Sequence, residues 1–129
     1  MAKIAPSILS ADFVNLERDI RALKDNGADL VHVDVMDGHF VPNISLGPVV
    51  ISSLRKRTGI FFDVHLMIEK PERYVQEFAD CGADLINLHV EATEDVQWGR
   101  STATNHERSG LWLPADKNGN RELLLPFNQ

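Results

Sequence analysis

The sequence has little of several features that define large classes of protein. Its single cysteine, Cys81, excludes an internal disulfide and favours a reducing compartment. No apolar run approaches the roughly 20 residues that a transmembrane helix requires, so an integral membrane protein is not expected. Basic residues number 13 against 19 acidic ones, for a net charge of −6. A nucleic-acid-binding surface is therefore not expected, because phosphate contacts need a basic face.

Signals for nucleotide binding and for secretion are also missing. Neither a GxGxxG turn nor a GxxxxGK[ST] loop is present, which disfavours a dinucleotide-binding or P-loop fold. The apolar stretch from Ile4 to Leu9 is soon interrupted by Asp12 and is too short for a secretory signal. We therefore expect a cytoplasmic protein with neither membrane nor nucleic-acid partners. The 129 residues allow at most one compact domain.

Up to about residue 92 the sequence alternates between short apolar strands and amphipathic helices. Asp12 and Pro71 have the character of helix starts, and Gly27 and Gly82 that of helix ends. A further helix is predicted over Pro48–Thr58. Strands separated by helices cannot pair as tight hairpins, so a parallel sheet is expected. The four predicted strands are Lys3–Leu9, Asp29–Met36, Phe61–Ile68 and Asp84–Val90.

One short pattern occurs twice. Residues 26–31 (NGADLV) and 81–86 (CGADLI) repeat a helix stop followed by a strand entry, 55 positions apart. Two such βα units predict an α/β fold, either a barrel or an open doubly wound sheet.

Residues 95–129 differ in character from the preceding part. They contain no isoleucine, one valine and both tryptophans. We expect no strand there, and at most one helical turn near Arg121–Leu125. The predicted division is therefore 1–94 as a unit of βα repeats and 95–129 as an irregular tail.

Strand periodicity separates the side chains into two sets. Valines 31, 33 and 35 form the helix-facing set of the second strand, and the following strands repeat the division. Ser7 of the first strand lies on the same side as Ala5 and Leu9. The opposite, interior-facing set is polar: His32, Asp34 and Met36, then Asp63, His65 and Met67, then Asn87, His89 and Glu91.

Burying so many polar groups without partners costs several kcal/mol, about 1–3 for each group. A divalent metal ion would satisfy them. His32 and Asp34 are an i, i+2 pair, and His65 is expected at the same height on the neighbouring strand. Two imidazoles and a carboxylate suit Zn²⁺, Fe²⁺, Co²⁺ or Mn²⁺. The alternative is that each histidine is a hydrogen-bonded core residue.

Other residues have more ordinary interpretations. Met36 and Met67 either line a pocket or fill the core, and Ser7 binds either a ligand or a backbone group. Arg55 stands at a helix end, where it is expected to complement the helix dipole and face solvent. Cys81 is expected to be a packing residue.

Four segments together resemble the ribulose-phosphate 3-epimerase family. They are residues 5–12 (APSILSAD), 32–43 (HVDVMDGHFVPN), 62–67 (FDVHLM) and 89–92 (HVEA). The resemblance covers about residues 3–94. It implies a (β/α)8 TIM barrel that interconverts D-ribulose 5-phosphate and D-xylulose 5-phosphate, of which this chain holds the first four βα units. A whole barrel takes about 250 residues.

The resemblance also implies roles for individual residues. His32, Asp34 and His65 become ligands of one divalent metal ion, and Asp34 also becomes one of two acid/base carboxylates. Ser7, His65, Met36 and Met67 become substrate contacts. The family supplies its second acid, a fourth metal ligand and the phosphate-binding loops from later strands, and nothing beyond Glu94 resembles them. The chain thus resembles the front half of an epimerase joined to an unrelated end.

Two alternatives to an epimerase of ribulose phosphate remain open. The first is a catalytically inert half-barrel that needs a partner or associates with itself, as a homo-oligomer or an aggregate. The second is a sibling phosphate-sugar epimerase acting on allulose 6-phosphate. Decarboxylase and hexulose-phosphate synthase relatives place a lysine two residues after the strand aspartate. Met36 occupies that position here, so these two activities are not expected.

Overall fold

The computed structural model describes residues 2–93 and 109–112. Within these residues there are three α-helices, α1 (Leu16–Asp25), α2 (Pro48–Arg55) and α3 (Val75–Asp80). The four strands are β1 (Leu30–Met36), β2 (Phe61–Met67), β3 (Leu85–His89) and β4 (Ser109–Trp112). Short 3-10 helices occupy Ile8–Ser10, Phe13–Asn15, Pro71–Arg73 and Val90–Ala92.

The strands form one sheet in the order β1-β2-β3-β4. β1, β2 and β3 are parallel neighbours, with α2 between β1 and β2 and α3 between β2 and β3. This confirms the predicted α/β class and is the arrangement of a partial TIM barrel. None of the helices in the described residues has both the length and the apolar composition that a membrane crossing needs.

The predicted first strand, Lys3–Leu9, is wrong as a strand. Only Ser7 forms a bridge, parallel to His32, although the segment does lie beside β1, where the Pro6 carbonyl accepts the His32 amide at 2.9 Å. Pro6 has no N–H to contribute to a ladder. The Ser7 hydroxyl then accepts the Leu9 amide at 3.2 Å and starts a 3-10 turn, which ends the extended conformation.

The expectation of no strand in the tail is also wrong. β4 pairs antiparallel with β3, from Ile86 opposite Trp112 to His89 opposite Ser109. Backbone pairing satisfies the open edge of β3 and needs no alternating apolar pattern in the segment that supplies it. The predicted helical turn near 121–125 lies outside the described residues.

The core lies between the sheet and its helices. Val31, Val33 and Val35 are at most 4% exposed, as the predicted alternation requires. Ile20 of α1, Ile51 of α2 and Phe78 of α3 pack in the same cluster. The helix-facing side chains of β2 and β3 complete it: Phe62, Val64, Leu66, Ile86 and Leu88.

The repeated sequence pattern has a repeated structural function. Gly27 and Gly82 both adopt positive φ, at 94° and 122°, where glycine is favoured. Two residues later, Asp29 accepts the Ile4 amide and Asp84 accepts the Phe62 amide, each at 2.8 Å. Asp29 thus ties the start of β1 to the extended N-terminal segment, and Asp84 ties the start of β3 to β2.

Arg55 does not face solvent, which corrects the prediction made for it. Its side chain is 24% exposed, and it donates to the Asp84 carboxylate at 2.8 Å. Its guanidinium also lies 4.0 Å from the centroid of the Phe62 ring. The side chain therefore joins the end of α2 to the starts of β2 and β3. It further donates to the backbone carbonyls of Thr58, Ile60 and Gly82.

Candidate active site

The polar side chains of β1 and β2 meet on the face of the sheet opposite the helices. The parallel register places Asp34 beside His65 and His32 beside Asp63. Each of His32, Asp34 and His65 offers one ligand atom, and these three atoms lie within 4.8 Å of one another. The structure therefore brings together the three residues that the sequence predicts as metal ligands.

Asp34 is the centre of this cluster. Its Oδ1 lies 3.0 Å from His32 Nε2 and 3.1 Å from His65 Nδ1. The hydroxyl of Ser7 donates to its Oδ2 at 2.5 Å. The Asp34 side chain is only 14% exposed, so these contacts are largely shielded from solvent. A nitrogen, oxygen, nitrogen donor set of this kind fits a divalent transition-metal ion.

Asp63 contacts His32 on the side of the ring opposite Asp34, a role that the sequence did not reveal. Asp63 Oδ2 lies 2.9 Å from His32 Nδ1. A carboxylate at that position favours a proton on Nδ1 and leaves the Nε2 lone pair directed at the cluster, as is usual for metal-binding histidines. The other oxygen, Asp63 Oδ1, is buried and has no partner among the described residues. Strand alternation placed Asp63 on this face, but only the register pairs it with His32.

His89 also belongs to the cluster. The strand alternation predicts only that its side chain points to the same face of the sheet. Its Nε2 lies 2.7 Å from His65 Nε2, and its Nδ1 lies 3.6 Å from the Glu91 carboxylate. The ring of Phe40, from the loop after β1, lies against His89 with a centroid separation of 5.2 Å. In the sequence, only the alternation of polar residues along β3 indicates that His89 lies on this face.

The pKa shifts follow from these contacts. The hydrogen bond to Asp63 raises the pKa of His32, against the opposing effect of burial. Burial is the main cause that lowers the pKa of His65. Burial would raise the pKa of Asp34, but the Ser7 hydrogen bond and the two histidines together hold it below its usual value. A charged Asp34 and a neutral His65 are protonation states that metal binding requires, whereas the raised pKa of His32 opposes the neutral state, so a metal ion must displace a proton when it binds to the protonated His32 ring.

The two methionines lie at the end of the strands that carry the cluster. Met36 and Met67 are a register pair, two residues beyond Asp34 and His65. Both residues are partly buried, so they are neither fully buried core residues nor fully exposed ones. They occupy the edge at which ligands bind in parallel α/β folds, beyond the carboxyl ends of the strands.

Comparison with known proteins identifies the family. A family model described as "Ribulose-phosphate 3 epimerase family" matches residues 3–108. The chain belongs to the ribulose-phosphate 3-epimerase family. Every residue of the cluster, from Ser7 to Glu91, lies inside the matched region.

Individual ribulose-phosphate 3-epimerases show the same similarity. The Bacillus subtilis protein is 54% identical over 92 residues, which are 71% of this chain and 42% of that protein. The Synechocystis protein is 57% identical over 88 residues, or 68% of this chain and 38% of that protein. The Schizosaccharomyces pombe protein is 50% identical over 130 residues, or 98% of this chain and 56% of that protein. The chain therefore spans about two fifths to just over half of these relatives.

The similarity to ribulose-phosphate 3-epimerases extends further than the sequence motifs predict. The family model continues to residue 108, and the fission yeast protein covers 98% of the chain. The expectation that the resemblance ends near residue 94 is therefore wrong.

Proposed function

We propose that this chain carries the metal-binding and proton-abstracting part of a ribulose-phosphate 3-epimerase, which interconverts D-ribulose 5-phosphate and D-xylulose 5-phosphate by inversion at C3. The observation that carries the proposal is the position of Asp34, whose Oδ1 lies 3.0 and 3.1 Å from His32 and His65. Family membership supports the same reaction. The proposed partner is a small phosphorylated sugar, and the proposed location is the cytoplasm.

In this proposal His32, Asp34 and His65 hold one divalent metal ion, Zn²⁺, Fe²⁺, Mn²⁺ or Co²⁺. When bound, the ion stabilises the negative charge that develops on oxygen when a proton is removed next to a ketone. Asp63 keeps His32 in the tautomer that a ligand needs, through its 2.9 Å contact with Nδ1.

Asp34 is the proposed acid/base residue for one face of the sugar. Its lowered pKa keeps it deprotonated near neutral pH, so it can accept the C3 proton. Ser7 is a proposed substrate contact, and its hydroxyl donates to Asp34 Oδ2 at 2.5 Å. Transfer of that hydrogen bond from Asp34 to the sugar would remove one cause of the low pKa and make Asp34 a stronger base.

Met36 and Met67 are proposed to line the substrate site, with His65 as a further substrate contact. Their thioethers are polarizable and adapt to a ligand surface. Apolar walls also exclude water, which strengthens the electrostatic interactions of Asp34 inside the site.

One carboxylate can exchange the C3 proton, whereas inversion needs a second acid on the opposite face. The test therefore measures both events. The 129-residue chain is incubated with D-ribulose 5-phosphate in D₂O with Co²⁺, Mn²⁺, Fe²⁺ or Zn²⁺, and NMR follows deuterium at C3 and the appearance of D-xylulose 5-phosphate.

We expect deuterium at C3 with the wild-type chain and at least a hundredfold slower exchange with Asp34→Asn. Asp80→Asn is the matched control, because Asp80 lies in α3 and its carboxylate contacts Gln76. Absence of exchange with every metal, or equal exchange in the Asp34 variant, would refute the proposal. Exchange with D-allulose 6-phosphate but not ribulose 5-phosphate would favour the sibling epimerase.

A further inference from the structure

The edge of β1 that faces away from β2 changes partner along its length. The N-terminal segment accompanies it as far as His32, whose amide donates to the Pro6 carbonyl at 2.9 Å. That segment then turns into the 3-10 helix Ile8–Ser10. Alternate residues of a strand direct their backbone groups to the same edge. The backbone groups of Asp34 and Met36 that point to this edge therefore lie beyond the reach of Pro6.

Ser45 takes the place of the missing strand partner. Its hydroxyl donates to the Asp34 carbonyl at 2.7 Å and accepts the Met36 amide at 2.9 Å. Its own amide donates to the Met36 carbonyl at 3.2 Å. One partly buried serine thus satisfies three backbone groups of Asp34 and Met36, near the end of β1.

The loop after β1 is shaped to deliver Ser45 to this position. Asp37 and Ile44 form an isolated antiparallel bridge, so the loop returns towards the strand that it left. Gly38 has a φ of 75°, and a Cβ there would come within 2.8 Å of the Ile44 side chain. Ile44, the residue that immediately precedes Ser45, therefore lies over Gly38 with no room for a Cβ there, although its side chain is otherwise 77% exposed.

We propose that Ser45 is a positioning residue for the metal ligand Asp34; this inference rests on the proposed function. The Asp34 carboxylate meets His32, His65 and Ser7 through contacts of 2.5–3.1 Å. Those contacts depend on the position of the Asp34 backbone, and the Ser45 hydroxyl holds that backbone by its carbonyl. Removal of the hydroxyl leaves the Asp34 carbonyl and the Met36 amide without this partner. The Asp34 carboxylate is then held less firmly in its position between His32 and His65.

The experiment compares Ser45→Ala, Ser45→Thr and Ser45→Val with the wild-type chain. Thr and Val have nearly the same shape and differ in the hydroxyl, so they separate hydrogen bonding from packing. Ser53→Ala is the matched control, because the Ser53 hydroxyl donates only to the Val49 carbonyl within α2. Co²⁺ titration followed by absorption measures metal affinity, and NMR measures amide hydrogen exchange of Met36 in the metal-free chain.

We expect the Ala and Val variants to bind Co²⁺ about tenfold more weakly, as for other supporting residues of metal sites, and to exchange the Met36 amide at least tenfold faster. Ser45→Thr and Ser53→Ala should match the wild type. Wild-type affinity in both Ala and Val variants would overturn the inference, as would weaker binding without faster Met36 exchange. A wild-type chain that binds no Co²⁺ would instead contradict the proposed function, and the inference would fall with it.

Discussion

Replacing Asp63 by asparagine tests the support that His32 receives. Asp63 Oδ2 lies 2.9 Å from His32 Nδ1, while Oδ1 is buried without a partner among the described residues. Asparagine keeps the shape and one acceptor oxygen but removes the charge, and its amide group can also present a donor. The substitution therefore weakens the preference for a proton on Nδ1 without opening a cavity.

The expected effect on metal binding is larger than the effect on folding. Loss of a supporting carboxylate weakens metal affinity about 10- to 100-fold, which corresponds to about 1.4–2.7 kcal/mol. The free energy of unfolding of the metal-free chain should fall by about 1 kcal/mol, because a charge-assisted hydrogen bond becomes a neutral one.

Isothermal titration with Zn²⁺ and urea unfolding of the metal-free chain measure these two quantities. Asp80→Asn is again the control for loss of one negative charge far from His32. Wild-type affinity in the Asp63 variant, or an equal loss of affinity in the Asp80 variant, would refute a supporting role of Asp63.

Three further predictions concern the rest of the described fold. Arg55→Met should lower the free energy of unfolding in urea by about 3 kcal/mol, because the Asp84 carboxylate and three carbonyls lose their donor; a change below about 1 kcal/mol would contradict this. Burial would raise the pKa of Asp37, but hydrogen bonds from the backbone amides of Glu69, His39 and Phe40 together hold it below its usual value. Asp37 should therefore stabilise the fold above pH 3.8, and this contribution should disappear as pH falls through its lower folded pKa; equal acid profiles for wild type and Asp37→Asn would argue against it. Burial raises the pKa of the Cys81 thiol to about 11, so iodoacetamide at pH 8 should react on the order of a hundredfold more slowly than with a free thiol; labelling at the free-thiol rate would show the prediction to be wrong.

The sequence pattern was sufficient where it reflects local geometry. Alternation along β1 and β2 separated the buried valines from the polar cluster, because strand side chains point to opposite faces with a period of two. Glycines at positive φ and the aspartates that follow them marked the strand entries. His32, Asp34 and His65 could be grouped for this reason.

Features that depend on long-range pairing could not be predicted in the same way. The contact between Asp63 and His32 requires the register of β1 against β2. Arg55 finds Asp84 across 29 positions of sequence, and nothing near Arg55 indicates it. β4 pairs through backbone groups, which every sequence possesses, so its composition carries no signal.

The proposed metal site is tested most directly by Co²⁺ titration of the wild-type chain at pH 7, with parallel titrations of His32→Ala, Asp34→Ala and His65→Ala. We expect saturation at one ion per chain, an absorption spectrum typical of Co²⁺ with nitrogen and oxygen ligands, and an affinity at least a hundredfold lower with each substitution. Absence of saturable binding by the wild-type chain, or wild-type affinity in any of the three variants, would contradict the assignment of this cluster as the metal site.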